Sequence, residues 1–253
     1  MTTNPAQLSA TELVHAYARK TLSPVEATEA VLERINKHDG IFNAFRLVDA
    51  ERALEAARTS EARWAKGKPA GLVDGVPTTI KDLVATKGWS TRRGSLTSSE
   101  EGTWDADHPL VEKLRAHGAV LLGKTTTPEF GWKGVTDSPL TGITRNPWDP
   151  TKTPGGSSGG AAAAAAACMG ALHHGSDGGG SIRMPACYTG IFGIKPTFGR
   201  VPTYPASGFG TLSHQGPMTR TVADAALMLT VMAEHDARDW YALPYNSYDW
   251  RDS

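Results

Sequence analysis

One lysine, three serines and two glycine clusters supply the residue types that acyl-transfer chemistry uses. The stretch TPGGSSGGAAAAAAAC, residues 153–168, sets four glycines around the adjacent pair Ser157 and Ser158, then seven alanines. A second stretch, GSDGGGSIRMPA over 175–186, places Gly178, Gly179 and Gly180 directly ahead of Ser181. Consecutive backbone N–H groups of this kind can converge on one oxygen, as an oxyanion hole requires, and Ser181 then follows as nucleophile. A plain glycine turn with a surface serine is the competing reading of that stretch taken alone. A serine nucleophile needs a base. His173 and His174 are adjacent in LHHGSD, so on a strand they face opposite ways and both read as structural. Lys81 is the other candidate, alone in the apolar and β-branched run GVPTTIKDLVAT, 75–86. Serine–lysine pairs are a known variant of triad logic. Taking a lysine from about 10.4 to about 7 corresponds to roughly 4.6 kcal/mol, which burial can supply. An edge-strand lysine reaching solvent is the bland alternative.

The first glycine loop has three further readings. A phosphate-binding loop has the right spacing between Gly155 and Gly160, but Ala161 stands where its lysine belongs. A nucleophile elbow matches Gly156 to Gly160 as G-x-S-x-G, yet it needs a strand running into the serine and a late histidine. RNPWDPTKTPGG precedes it instead, with three prolines, and the late histidines His214 and His235 have no distinctive setting. A flexible linker feeding an alanine helix is the third. Seven alanines favour a helix packed close to its neighbours over a solvated one, with the glycines bringing backbone near a substrate at its N-terminus.

The elements that position these residues change character along the chain. SATE at 9–12 and SPVE at 23–26 each set Glu three residues after a capping Ser, and the second adds Pro at the first helical position. Another helix is expected over about Asp49 to Trp64. Short β-rich runs follow, GVPTTIKDLVAT, AVLLGKT (119–125) and GIFGIKPT (190–197), with the helical pattern HPLVEKLRAHG at 108–118 among them. Alternation of this kind predicts an α/β fold, a mixed β-sheet flanked by helices on both faces. The expected organisation is an N-terminal helical region, 1–65, packing on a core of 66–253 as effectively one domain. The tail RDWYALPYNSYDWRDS reads as irregular, as though cut at a loop.

Composition removes several classes. Lysine plus arginine balances aspartate plus glutamate at 26 each, so neither a nucleic-acid nor an anionic-membrane partner is expected. The start MTTNPAQLSATELVHAYARK has no apolar core of a secretory signal, and no run is long and apolar enough for a transmembrane helix. Cys168 and Cys187 lie in runs that read as packed, which points to free thiols and a cytoplasmic location. No Cys–His spacing suggests a metal.

Together GGSSGGAAAAAAA, GSDGGGSIRMPACYTGIFGIKPTFGR and GVPTTIKDL resemble the amidase signature family. The resemblance extends through TKGWSTRRGS, HPLVEKLRAHGAVLLGKTTTPEF, TRNPWDP and GPMTRTVADAALML, from about Pro24 to His235. It implies Lys81 as catalytic lysine, Ser157 as the bridging serine after a cis peptide bond, and Ser181 as the acyl-forming serine. Ser158 would support them by hydrogen bonding, Asp177 and Arg183 would brace the glycine loop, and pocket residues would fall around Phe130 to Pro139. It further implies hydrolysis of a small-molecule amide with no metal or organic cofactor. Members of that family carry a C-terminal half that completes sheet and pocket. The expectation is therefore a fragment, or a fold completed by a second chain or another copy. The alternatives are the glutaminase-type component of a tRNA-dependent amidotransferase and a truncated inactive remnant.

Overall fold

The computed structural model describes residues 4–102, 104–244 and 248–252. Residues 1–3 at the chain start, and 245–247 and 253 of the aromatic tail, lie outside them.

The helical first third forms as its capping signals dictate. Helix α1 (Ala10–Ala18) and helix α2 (Pro24–Phe42) each begin with a complete capping box, Ser9 with Glu12 and Ser23 with Glu26. Each box satisfies two otherwise orphaned N–H groups and is worth about 1 kcal/mol. Asn43 ends α2 in the left-handed region at φ 50°, and Asp39 Oδ1 accepts from Ala44 N–H beyond it. Strand β1 (Phe45–Val48) follows, then helix α3 (Ala50–Ala65). Nothing in the sequence marked β1. Four residues carry little periodicity, and their extended state comes from pairing with a distant strand.

The sheet is built from β2 (Pro77–Lys81), β3 (Val120–Thr125), β6 (Leu172–Asp177), β7 (Phe192–Gly193) and β8 (His214–Thr219), with β1 at one edge. A separate two-stranded ribbon pairs β4 (Asp137–Ser138) with β5 (Gly142–Ile143). The main order is β1-β3-β2-β6-β8-β7. Its centre, β3-β2-β6, is parallel, whereas β1 and β8 run antiparallel to their neighbours, so the sheet is mixed. GIFGIKPT yields only the two residues of β7, paired with β8.

Helices cover both faces. Along β3, Val120 and Leu122 join α2, α3 and helix α5 (Gly159–Ala166) in one apolar cluster, while Leu121 joins α1, helix α4 (Pro109–Ala116) and helix α7 (Val222–Met232) in another. The alternation of strand side chains divides them so. Leu13 and Tyr17 of α1 share the second cluster with Val76, Ile80 and Met228, so the N-terminal helices belong to the core. No helix among the described residues is long and apolar enough to cross a membrane.

Helix α5 is buried throughout the run Ala161–Ala165. Its first turn presses on backbone. A β-carbon at Gly160 would stand 2.4 Å from Thr126 Oγ1, 2.5 Å from Thr126 N and 2.6 Å from Ala44 O. Gly160→Ala is therefore expected to destabilise by about 1–3 kcal/mol through overpacking, although alanine favours helix. A lower urea midpoint is the expected reading; an equal or higher one would show that the helix can move away.

Candidate active site

Lys81 ends β2, a strand whose five residues are all buried and whose Thr78, Thr79 and Ile80 suit a central position between β3 and β6. Asp177 ends β6. The site thus lies beyond the carboxyl ends of parallel strands, where open α/β sheets place their ligands. Lys81 is fully buried, and its Nζ reaches Ser157 Oγ at 2.7 Å, Ser158 Oγ at 2.8 Å and Ser176 Oγ at 3.0 Å. Among the described residues no carboxylate pairs with it. Desolvation lowers its pKa to about 7, against an opposing pull from Asp177. A lysine so placed holds a usable lone pair near neutrality.

The serines are held by glycine and distinguished by their bonds. Ser157 follows a cis peptide bond from Gly156. At Gly156 a β-carbon would fall 2.5 Å from Val135 O, so only glycine lets the loop lie this close to its neighbour. Ser158 Oγ accepts from Lys81 Nζ and from Ser176 N–H at 3.2 Å, and donates to Ser176 O at 3.1 Å. Its only proton is committed. Ser157 Oγ accepts from Lys81 and makes no other hydrogen bond among the described residues, so its proton remains available. Ser176 was not singled out in the sequence. A serine two residues after His174 on a buried strand, beside an aspartate, was the signal that could have found it.

Asp177 closes the second loop. Its Oδ1 accepts from Gly180 N–H at 2.7 Å and Arg183 Nη2 at 3.0 Å. Its Oδ2 accepts from Ile182 N–H at 3.2 Å and Arg183 Nε at 2.9 Å. Burial would raise this carboxyl's pKa, but the Arg183 fork and the two amides outweigh it and hold it at about 2. These bonds start helix α6 (Arg183–Thr189). They also correct one expectation, because the Gly180 amide points into Asp177 and is not free for a ligand. Gly178, Gly179 and Ser181 keep amides that donate to nothing among the described residues, and Gly178 and Gly179 are exposed. Ser158 N–H donates to Ser181 O at 3.2 Å, stitching the two loops together. The Ser181 side chain is half-buried, and no hydrogen bond joins its hydroxyl to that of Ser157.

The segment from Phe130 to Pro139 lies over the first loop. A β-carbon on Gly131 would stand 3.3 Å from Ser157 Oγ, and Thr136 Oγ1 donates to Gly155 O at 2.9 Å. Trp132 is exposed and stacks on Phe209 with ring centroids 5.4 Å apart. Both strand histidines are buried, His173 against Thr79 Oγ1 at 2.9 Å and His174 against the Lys81 backbone. Cys187, read as packed, is exposed on α6, whose other face is the buried one. No group of three or more His, Cys, Asp or Glu among the described residues could hold a metal ion.

A mixed sheet flanked by helices, carrying a buried lysine among serines at its carboxyl edge, makes this an α/β protein. The chain belongs to the amidase signature family: the family model described as Amidase matches residues 26–253. A relative from Salinispora tropica, named as the A component of a glutamyl-tRNA(Gln) amidotransferase, is 44% identical over 96% of this chain and 49% of its own length. An indoleacetamide hydrolase from Bradyrhizobium diazoefficiens is 41% identical over 94% of this chain and 47% of its own. The crystal structure of a bacterial aryl acylamidase of the amidase signature enzymes superposes with a TM-score of 0.90 at 36% identity, over 97% of this chain and 51% of that one. The chain spans about half the length of the curated relatives it matches.

The lysine pKa has a consequence for stability. Between about pH 7 and 10.5 the unfolded chain carries a proton on Lys81 that the folded chain lacks. Unfolding takes up that proton, so stability rises with pH across this window. Lys124, lowered to about 8 by burial, acts in the same direction. Lys81→Met removes the first contribution, and its urea midpoint should climb less steeply than that of the wild type from about pH 7 to about pH 10. Parallel climbs would mean a lysine charged in the folded state.

Proposed function

We propose that this chain is the catalytic part of an amidase that hydrolyses a carboxylic amide to an acid plus ammonia or an amine. The observation that carries this reading is the fully buried Lys81 amine, held at about 7 by desolvation and 2.7 Å from Ser157 Oγ. Neutral Lys81 takes the proton of Ser157, and Ser157 takes that of Ser181 as Ser181 Oγ attacks the amide carbonyl. The Ser157 and Ser181 hydroxyls are not yet bonded to each other, and catalytic contacts commonly tighten only in the Michaelis complex. The oxyanion rests on the amides of Gly178, Gly179 and Ser181, while Gly180 holds the loop through Asp177. The C–N bond breaks as Ser157 returns a proton to the leaving nitrogen. Water, deprotonated by the same relay, then releases the acid from the acyl-serine and restores Ser181. Ser158 orients Lys81, and Arg183 braces Asp177.

A second reading is favoured by the relatives named as the A component of a glutamyl-tRNA(Gln) amidotransferase. There the same serines would free ammonia from glutamine for partner polypeptides. In both readings further polypeptide, in this chain or another, covers the open side of Gly178 and Gly179. The unpaired thiols of Cys168 and Cys187 suit a cytoplasmic setting.

A fluorophosphonate probe is expected to label Ser181, read by mass spectrometry, and Ser181→Ala to abolish the adduct; an adduct on Ser158 would revive the elbow reading. Lys81→Ala should lower amide turnover by about 10²–10⁴-fold with the fold intact, and an unchanged rate would remove lysine as base. Ammonia release from glutamine only when the other amidotransferase components and charged tRNA are added would select the second reading.

A further inference from the structure

β2 and β6 run parallel, yet their ladder pairs only Thr78 with Leu172 and Thr79 with His173. On its other edge β2 stays paired with β3 to its last residue, Lys81 against Thr125. The divergence from β6 opens the space in which Ser157, Ser158 and Ser176 meet the lysine amine. It also withdraws the strand acceptor that the Lys81 N–H would have used, and a buried N–H without a partner is costly. His174 supplies the partner: its Nδ1 accepts from Lys81 N–H at 3.3 Å. That bond assigns the tautomer. Nδ1 carries the lone pair, so the ring proton sits on Nε2 and is donated to Gln215 Oε1 at 2.8 Å. Gln215 lies on β8 opposite Ser176, the serine that accepts from Lys81 Nζ.

We propose that His174, oriented by Gln215, is a positioning residue for Lys81, fixing the end of β2 and with it the ε-amine against the serines. The inference rests on the reading of Lys81 as base. One imidazole links three adjacent strands under the point where the sheet opens. Burial lowers the His174 pKa to about 3, and the titratable or charged groups that face it are His108, Lys81 and Lys124. The ring is therefore neutral. Its replacement acts on Lys81 through position and solvent access, with no charge removed.

Three variants test this. His174→Leu removes both nitrogens, His174→Asn puts an amide oxygen near the place of Nδ1, and His174→Gln reaches instead toward Nε2. The readouts are the titration midpoint of Lys81, followed by NMR of its ε-carbon, and the rate of fluorophosphonate labelling at Ser181. His174→Leu should raise the midpoint from about 7 towards the ordinary lysine value and slow labelling at least ~10-fold. His174→Asn should restore both, and His174→Gln should not. A His174→Leu protein that melts like the wild type and keeps its midpoint and labelling rate overturns the inference. If that variant does not fold, equal midpoints and rates in His174→Asn and His174→Gln overturn it. A wild type that is not labelled at Ser181, with a midpoint that still moves in His174→Leu, would sink the hydrolytic reading and leave the positioning role standing.

Discussion

A buried amine without a counter-charge is the constraint around which this chain is arranged. Three hydroxyls surround Lys81 Nζ, and hydroxyls accommodate an ammonium or a neutral amine with little rearrangement. A carboxylate in their place would hold the proton. The two nearby acids are kept from that role by other partners. Asp82, next in sequence, turns to the far side, where Arg46 Nε meets it at 3.0 Å and Lys124 Nζ at 3.6 Å. Asp177 spends its oxygens on the Arg183 guanidinium and three backbone amides. Desolvation is then the dominant influence on the lysine, and its proton is loosely held.

Small residues are the means by which that arrangement is packed. Glycine at 156 admits the Val135 backbone, glycine at 160 admits Thr126 and Ala44, and the alanines behind them let α5 lie against the sheet. Hydroxyl groups placed this way have little freedom to wander, as the proposed proton relay would demand. The two serines of the first loop are chemically alike in sequence and unlike in place. Ser158 is saturated by Lys81 and Ser176, whereas Ser157 keeps its proton free. Asp177 fastens the Gly180 end of the second loop, whereas a β-carbon at Gly178 would meet only Leu212 O, at 3.6 Å, and one at Gly179 would meet nothing within 4 Å.

Some of this was legible in the order of residues. Ser9 with Glu12 and Ser23 with Glu26 are local signals, because a capping box closes within three residues and needs no tertiary partner. Lys81 stood out as the one lysine in a β-branched run, and the alanine run as a close-packed helix, since burial of a strand or helix leaves a compositional mark. Other features left none. Phe45–Val48 is a strand because β3 is beside it, and of Ile191 to Thr197 only Phe192 and Gly193 join the sheet, because β8 pairs with those two residues. Ser176 is one serine among many until β6 sets it 3.0 Å from a lysine ninety-five positions earlier.

By itself the sequence determined the kinds of group available and the helices, turns and strands whose signals are local. It determined the family as well, because a glycine–serine loop followed by GGGSIR is too particular to arise from packing requirements alone. Only the tertiary structure decided which groups meet. It set Gly180 against Asp177, separated the two loop serines by their hydrogen bonds, and gave His174 a backbone donor to accept from. The reason is physical: a hydrogen bond or a shifted pKa depends on distances of a few ångströms and on the exclusion of water. Both are properties of strands brought together from far apart in the chain, and neither is written in any one segment.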